Sequence, residues 1–228
     1  MTLAAACDAK YFRLFAPGFV RSAVAVLPGM TVHLHVVAPD AATSALFAEL
    51  AEAAPGLALN LSTEAAGPWH SGAYYASNRF LIGPALLQRY GQRLVLTDID
   101  VEFLAPLDDL LAASSGHGFA GFRHDGAGPC SRYPAVLTVW DQGAAGTELL
   151  DRVGGSCCPS STSNGRSTGC STRQHSVQCC AGGGGRGPGT RIGIINELTG
   201  KHFQPWLRSV GGEEKAELIR AASIRTAT

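Results

Sequence analysis

The chain has 228 residues, enough for one α/β domain with a substantial hydrophobic core. Its 18 basic and 18 acidic residues give a formal net charge of zero, so electrostatics provide no reason to expect nucleic acid or an anionic membrane as partner. No segment approaches the roughly 20 apolar residues that span a bilayer, and the apolar start is too short for a signal peptide and lacks a basic leader. We therefore predict a cytoplasmic protein without a membrane span.

The first part of the chain alternates apolar runs of strand length with stretches of helical periodicity. The run at 3–7 predicts a buried parallel strand that opens into a loop at Asp8. Apolar spacing over 11–26 predicts a helix, but Pro17 and Gly18 predict that it is broken or starts late. The same periodicities then predict a strand at 32–37, a helix at 43–54, a strand at 57–61 and a helical stretch at 74–90 divided in two at Gly83-Pro84.

The strongest strand of the chain is predicted at 93–97, and it runs straight into the triplet Asp98-Ile99-Asp100. A short helix at 107–112 and strands at 118–122 and 135–140 follow. This alternation is typical of βαβ units and predicts a three-layer α/β/α sandwich with a mostly parallel sheet. Ligands of such sheets bind beyond the carboxyl ends of the strands, where both Asp8 and the acidic triplet are expected.

The two carboxylates of the triplet suit a metal site. On extended backbone, Asp98 and Asp100 would point to the same side with Cα atoms about 6.6 Å apart. They could then share one Mn²⁺ or Mg²⁺ ion with a diphosphate, and the ion would neutralise charge on a departing nucleotide. Acidic pairs of this kind are common on surfaces, but bare carboxylates at the tip of a buried strand are costly unless they are satisfied.

Two sequence blocks resemble a known family. Residues 79–87 read Arg-Phe-Leu-Ile-Gly-Pro-Ala-Leu-Leu, and residues 94–110 read Leu-Val-Leu-Thr-Asp-Ile-Asp-Val-Glu-Phe-Leu-Ala-Pro-Leu-Asp-Asp-Leu. Together they resemble the nucleotide-diphospho-sugar transferases of GT-A fold, above all the retaining family 8-like group with its pattern Y-x-R-x-x-x-x-x-L-L followed by L-Y-L-D-x-D. The resemblance covers residues 1–153. It implies a metal-dependent glycosyltransferase that moves a hexosyl group from a UDP-sugar, or a related nucleotide-sugar donor, to an acceptor.

The resemblance also implies roles for individual residues. Tyr11, Asp8 and the backbone of Ala6 and Cys7 match the family's nucleotide-binding loop. Arg79 matches the basic residue that contacts the donor. The family's metal ligands are matched by Asp98, Asp100 and His202. His202 lies in Lys201-His-Phe-Gln-Pro-Trp206, where the spacing departs from the family element and Gln204 replaces its lysine.

Simpler interpretations remain open for these residues and for the function. Tyr11 could be an ordinary residue of an amphipathic helix, and Asp8 could cap that helix. Arg79 could be a solvent-exposed arginine on a helix. His33 and His35 are interpreted as strand residues without function. The alternatives to a transferase are a catalytically impaired remnant that binds nucleotide-sugar, or a metal-dependent phosphohydrolase.

Residues 154–190 differ from the rest of the chain. They contain five cysteines, one alanine and one valine, but no acidic, aromatic or other aliphatic residue. Such a stretch cannot bury enough apolar area to offset the cost of ordering it, which predicts a disordered, low-complexity segment. We favour a shifted reading frame as the origin of this segment. Residues 167–176 can be encoded by a DNA sequence that reads Asp-Trp-Leu-Leu-Asp-Gln-Ala-Ala-Leu in another frame. That product resembles a W-x-x-D-Q-x-x-L helix of the family.

The predicted organisation therefore has three parts. Residues 1–153 form a nucleotide-sugar-binding domain, 154–190 the low-complexity segment, and 191–228 a C-terminal helical tail with a helix at 213–222. The oligomeric state is left open.

Overall fold

The computed structural model describes residues 1–67, 72–124, 134–157 and 191–225. Nine strands and seven helices are found in these ranges. The strands are β1 (Thr2–Asp8), β2 (Thr31–Val37), β3 (Ala58–Glu64), β4 (Leu94–Thr97), β5 (Val101–Phe103), β6 (Phe119–Gly121), β7 (Leu137–Trp140), β8 (Ile192–Ile194) and β9 (Leu207–Ser209). The helices are α1 (Ala9–Val26), α2 (Ala41–Ala53), α3 (Gly72–Tyr90), α4 (Asp108–Ala113), α5 (Ala144–Cys157), α6 (Ile195–Thr199) and α7 (Gly212–Arg225).

A seven-stranded sheet in the order β3-β2-β1-β4-β7-β6-β8 forms the centre of the fold. Four of its six strand pairings are parallel, and the two antiparallel pairings both involve β7. The predicted mostly parallel sheet is therefore confirmed. A second, two-stranded antiparallel sheet joins β5 to β9.

Two hydrophobic cores lie on the two faces of the sheet, which is the three-layer arrangement predicted. Along β1, Leu3, Ala5 and Cys7 belong to the core that contains α1, whereas Ala4 belongs to the core that contains α3 and α5. The alternation follows from the opposite directions of successive side chains on a strand. A strand covered on both faces reads as a continuous apolar run, as residues 3–7 do.

The predicted breaks at Pro17 and at Gly83-Pro84 are wrong, because α1 and α3 each continue through their proline. In α1, burial of an apolar face on both sides of Pro17 outweighs one missing backbone hydrogen bond. In α3, a Cβ on Gly83 would lie 2.7 Å from Leu150 Cδ2 of α5. That glycine thus allows two helices to approach closely and does not end one.

The prediction that the acidic triplet lies on extended backbone is also wrong. The β1 and β7 pairings of β4 both end at Thr97, and Ile99 and Asp100 form a turn. Ile99 is only 4% exposed and belongs to the core on the α1 face. Ile99 thus packs into the core within the turn, and both flanking aspartates still line the cavity described below.

The C-terminal segment contributes strands as well as helices. β8 extends the central sheet beside β6, and β9 pairs with β5 just after the acidic triplet. Residues 154–157 complete α5, while the remaining part of the predicted low-complexity segment, 158–190, lies outside the described residues. No helix in the described ranges has the length and apolarity to cross a membrane.

Candidate functional site

A cavity of about 300 Å³ opens at the carboxyl ends of β1 and β4. This volume is at the lower end for small-molecule sites. Its lining combines the end of β1, the start of α1, the acidic triplet and the C-terminal segment. The residues are Ala6, Cys7, Asp8, Tyr11, Tyr75, Asp98, Ile99, Asp100, Ser209 and Lys215. The structure thus brings together the two sequence regions that were predicted to meet at this edge of the sheet.

Asp8 and Tyr11 hold the first turn of α1 against the cavity. Asp8 is the N-cap of α1, and its Oδ1 accepts a hydrogen bond from the Tyr11 backbone N–H at 2.7 Å. The capping alternative is therefore correct, and it is compatible with a binding role because both residues line the cavity. The Tyr11 ring is half-buried, with its centroid 5.2 Å from that of Phe15.

Arg79 lies behind the acidic triplet as a buried cation. Its side chain is 1% exposed, and its guanidinium pairs with Asp98 Oδ1 and donates from Nη2 to the Ala135 carbonyl at 2.7 Å. The interpretation of Arg79 as a solvated helical arginine is therefore wrong. Arg79 does not line the cavity; it contacts Asp98, which does.

Lys215 is a site residue that sequence reasoning missed. Its ammonium pairs with Asp100 Oδ2, and it lies 5.0 Å from the Tyr11 ring centroid and 5.7 Å from that of Phe15. Burial disfavours its charge, but the hydrogen bond and the negative charge of Asp100 outweigh burial and raise the pKa of Lys215. No local signal could have identified it, since 115 positions separate it from its carboxylate partner.

His202 is not brought to the carboxylate pair. Its ring lies 6.1 Å, between centroids, from that of His124, and it does not line the cavity. Within the described ranges, no group of three or more His, Cys, Asp or Glu residues is arranged to hold an ion. The three-ligand set implied by the resemblance is therefore not assembled here, and what remains is the aspartate pair.

The aspartate pair fits a hard divalent cation of the Mg²⁺ or Mn²⁺ type. These ions take oxygen ligands, and Mg²⁺ typically uses one or two protein carboxylates and completes its shell with water and substrate phosphates. Asp98 is 25% and Asp100 13% exposed in their side chains, so both can be reached from the cavity. The Lys215 ammonium already stands against Asp100 as a positive charge, so an ion on Asp100 would compete with it.

Cys7 contributes backbone and a neutral thiol to the cavity wall. The side chain is buried, and its pKa is raised first by that burial and then by the negative charges of Asp8 and Asp100. These effects favour the neutral thiol over the thiolate, which is the nucleophilic form.

His33 and His35 belong to a buried polar network between the sheet and α3. The His33 ring nitrogens lie 2.8 Å from Tyr90 Oη and 2.8 Å from Ser62 Oγ, and His35 Nδ1 lies 2.7 Å from the same Ser62 oxygen. His33 and His35 are two positions apart along β2, so both side chains point to the same face of the sheet. Their partners give them a structural role, and neither lines the cavity.

No known family profile and no curated protein sequence matches the chain. Solved structures do. The crystal structure of the glycosyltransferase GlyE from Streptococcus pneumoniae TIGR4 is similar with a TM-score of 0.58 at 13% identity, covering 84% of this chain and 44% of that chain. The apo structure of the bifunctional glycosyltransferase WbbM gives a TM-score of 0.54 at 12% identity, covering 85% of this chain and 38% of that chain.

These similarities establish the fold. A mostly parallel seven-stranded sheet flanked by helices is the GT-A-like arrangement of these glycosyltransferases. The chain spans less than half the length of either structure. At such low identity, residue roles must be argued from the chain's own cavity.

Proposed function

We propose that the protein is a metal-dependent glycosyltransferase whose cavity binds a nucleotide-diphosphate sugar, with a UDP-sugar as the expected donor. The observation that carries this proposal is that one cavity is lined both by Asp98 and Asp100 and by the junction of β1 with α1, which includes Asp8 and Tyr11. The chain also shares its fold with solved glycosyltransferases, which supports the same proposed function.

Each part of the lining suits one part of such a donor. The Tyr11 ring offers an apolar face for a nucleobase, and Asp8 with the backbone of Ala6 and Cys7 offers polar atoms beside it. Asp98 and Asp100 would hold Mn²⁺ or Mg²⁺, which when bound would screen the diphosphate and the charge developing on the leaving nucleotide. Arg79 donates one hydrogen bond to Asp98 and is itself held by a second one to the Ala135 carbonyl, so it fixes the position of the Asp98 carboxylate.

Calorimetry with UDP, in the presence and absence of Mn²⁺, tests the donor site. We expect UDP binding that depends on Mn²⁺ and that weakens roughly tenfold or more, about 1.4 kcal/mol, in Asp98→Asn and Asp100→Asn, because each removes a charged ion ligand. Asp109→Asn is the matched control, since Asp109 is exposed in the first turn of α4 and does not line the cavity.

A UDP-release assay with candidate sugars then separates the functions. Release that depends on Mn²⁺ and on Asp100 supports the transferase. Binding without release favours an impaired remnant. Phosphate release from a phosphomonoester, with no UDP binding, would contradict the proposal in favour of a phosphohydrolase.

A further inference from the structure

The cavity is bordered by a helix that makes two ion pairs with the body of the protein. We call α7 (Gly212–Arg225) the rim helix. None of residues 212–220, for which burial is described, is fully buried, and Leu218 is 37% exposed. Its described attachments to the body of the protein include two ion pairs, Lys215 with Asp100 and Glu214 with Arg208 at 3.1 Å. Residues 212–220 contribute no fully buried side chain, so ion pairs have a large share in holding this stretch in position, whereas most helices are attached mainly by apolar burial.

One side chain of the rim helix occupies the space that the proposed donor complex needs. The Lys215 ammonium neutralises Asp100 and at the same time lies 5.0 Å from the centroid of the Tyr11 ring. A divalent ion on Asp100 would stand beside that ammonium. Two like charges a few ångströms apart in a partly buried site repel strongly, so both cannot keep the same carboxylate oxygen.

The two aspartates of the triplet differ in how firmly their cations are held. Arg79 is fixed by burial and by a second hydrogen bond to the Ala135 carbonyl, so it stays when an ion arrives. Lys215 has a flexible stem, is 29% exposed, and comes from an exposed helix. Lys215 is therefore the partner that can leave at low cost.

We propose that Lys215 is a resident counterion of Asp100 that a divalent ion displaces, so that ion binding releases the rim helix from the cavity. The inference rests on the proposed function, since it takes Asp98 and Asp100 as the ion's ligands. Because the two events are linked, removing the counterion strengthens ion binding, and ion binding loosens the helix.

Mn²⁺ binding to the full chain tests this, measured by the electron paramagnetic resonance signal of the free ion. We expect Lys215→Met to bind Mn²⁺ about tenfold more tightly than the wild type, within the usual range of coupling between linked events. Lys201→Met is the matched control: Lys201 is exposed, lies 5.7 Å from the Trp206 ring centroid, and does not line the cavity. It should leave the affinity unchanged.

Hydrogen–deuterium exchange gives a readout that the loss of a positive charge alone would not produce. In the wild type, Mn²⁺ should speed exchange of amides 213–222. In Lys215→Met, those amides should exchange fast from the start and should not respond to the ion.

Equal or weaker Mn²⁺ binding by Lys215→Met, with the wild type binding normally, overturns the counterion role and leaves the proposed donor site standing. Slower exchange of the rim helix on adding Mn²⁺ also overturns it. Failure of both proteins to bind Mn²⁺ removes the metal site itself, and the proposed metal-dependent function with it.

Discussion

The floor of the cavity and the rim helix stabilise the same site by different physics. The floor, residues 6–8 and 98–100, lies at the carboxyl ends of β1 and β4, two strands that are buried on both faces. Arg79, the cation paired with Asp98 of the floor, has a side chain that is 1% exposed. The rim helix presents no fully buried residue among 212–220 and touches the floor through Lys215. From this difference we expect the floor to set the geometry of the proposed binding site and the rim to change position without unfolding of the domain.

Removal of a large apolar side chain should separate floor from rim most clearly. Phe12 of α1 is fully buried in the core that also contains Cys7 and Ile99 of the floor, so Phe12→Ala should lower the free energy of unfolding by about 3–5 kcal/mol. Leu218→Ala in the rim helix should cost less than about 1 kcal/mol, because that side chain is 37% exposed. Urea unfolding of both variants measures the two costs. Similar losses would mean that the rim helix is packed as firmly as the floor.

Removal of an arginine should give a smaller effect with the same contrast. Arg79→Met leaves Asp98 without its buried cation and the Ala135 carbonyl without its donor, and should cost about 3 kcal/mol, the lower end for a broken buried pair because Asp98 is partly exposed. Arg208→Met removes an exposed arginine that pairs with Glu102 and Glu214, and should leave the urea midpoint unchanged. A wild-type midpoint for Arg79→Met would contradict the assigned burial.

The smallest effect concerns pH and the sheet beside the floor. Burial, followed by the charges of Arg89 and His35, lowers the pKa of His33 from 6.5 to about 4. Between these values the unfolded chain binds the proton and the folded protein does not, so stability is complete above about pH 6.5 and falls as the pH drops toward 4. Urea midpoints at pH 7, 6 and 5 should decrease in that order.

His33→Gln serves as the control for this pH dependence. It should flatten the slope, while the lowered pKa of His35 keeps part of it. A wild-type midpoint that rises toward pH 5 would contradict the neutral, buried histidine.

Much of the fold could be predicted from local pattern. The apolar run at 3–7 and the strand at 93–97 identify β1 and β4, because strands covered on both faces must be apolar throughout. The position of two acidic segments at the ends of these strands follows from parallel topology, and the cavity contains both. The helix breaks predicted at proline and glycine were wrong, because burial in the tertiary structure outweighed the local energetic cost of these residues in α1 and α3.

The sequence alone therefore determined the layered sheet and the edge at which Asp8, Asp98 and Asp100 converge, because strand hydrophobicity and strand polarity are local properties. Only the tertiary structure decided which cations accompany the carboxylates. Arg79 arrives from α3 and Lys215 from the rim helix, and no spacing along the chain encodes either contact. Ion pairs between distant segments depend on how helices pack across the sheet, and that packing is fixed by burial over the whole domain.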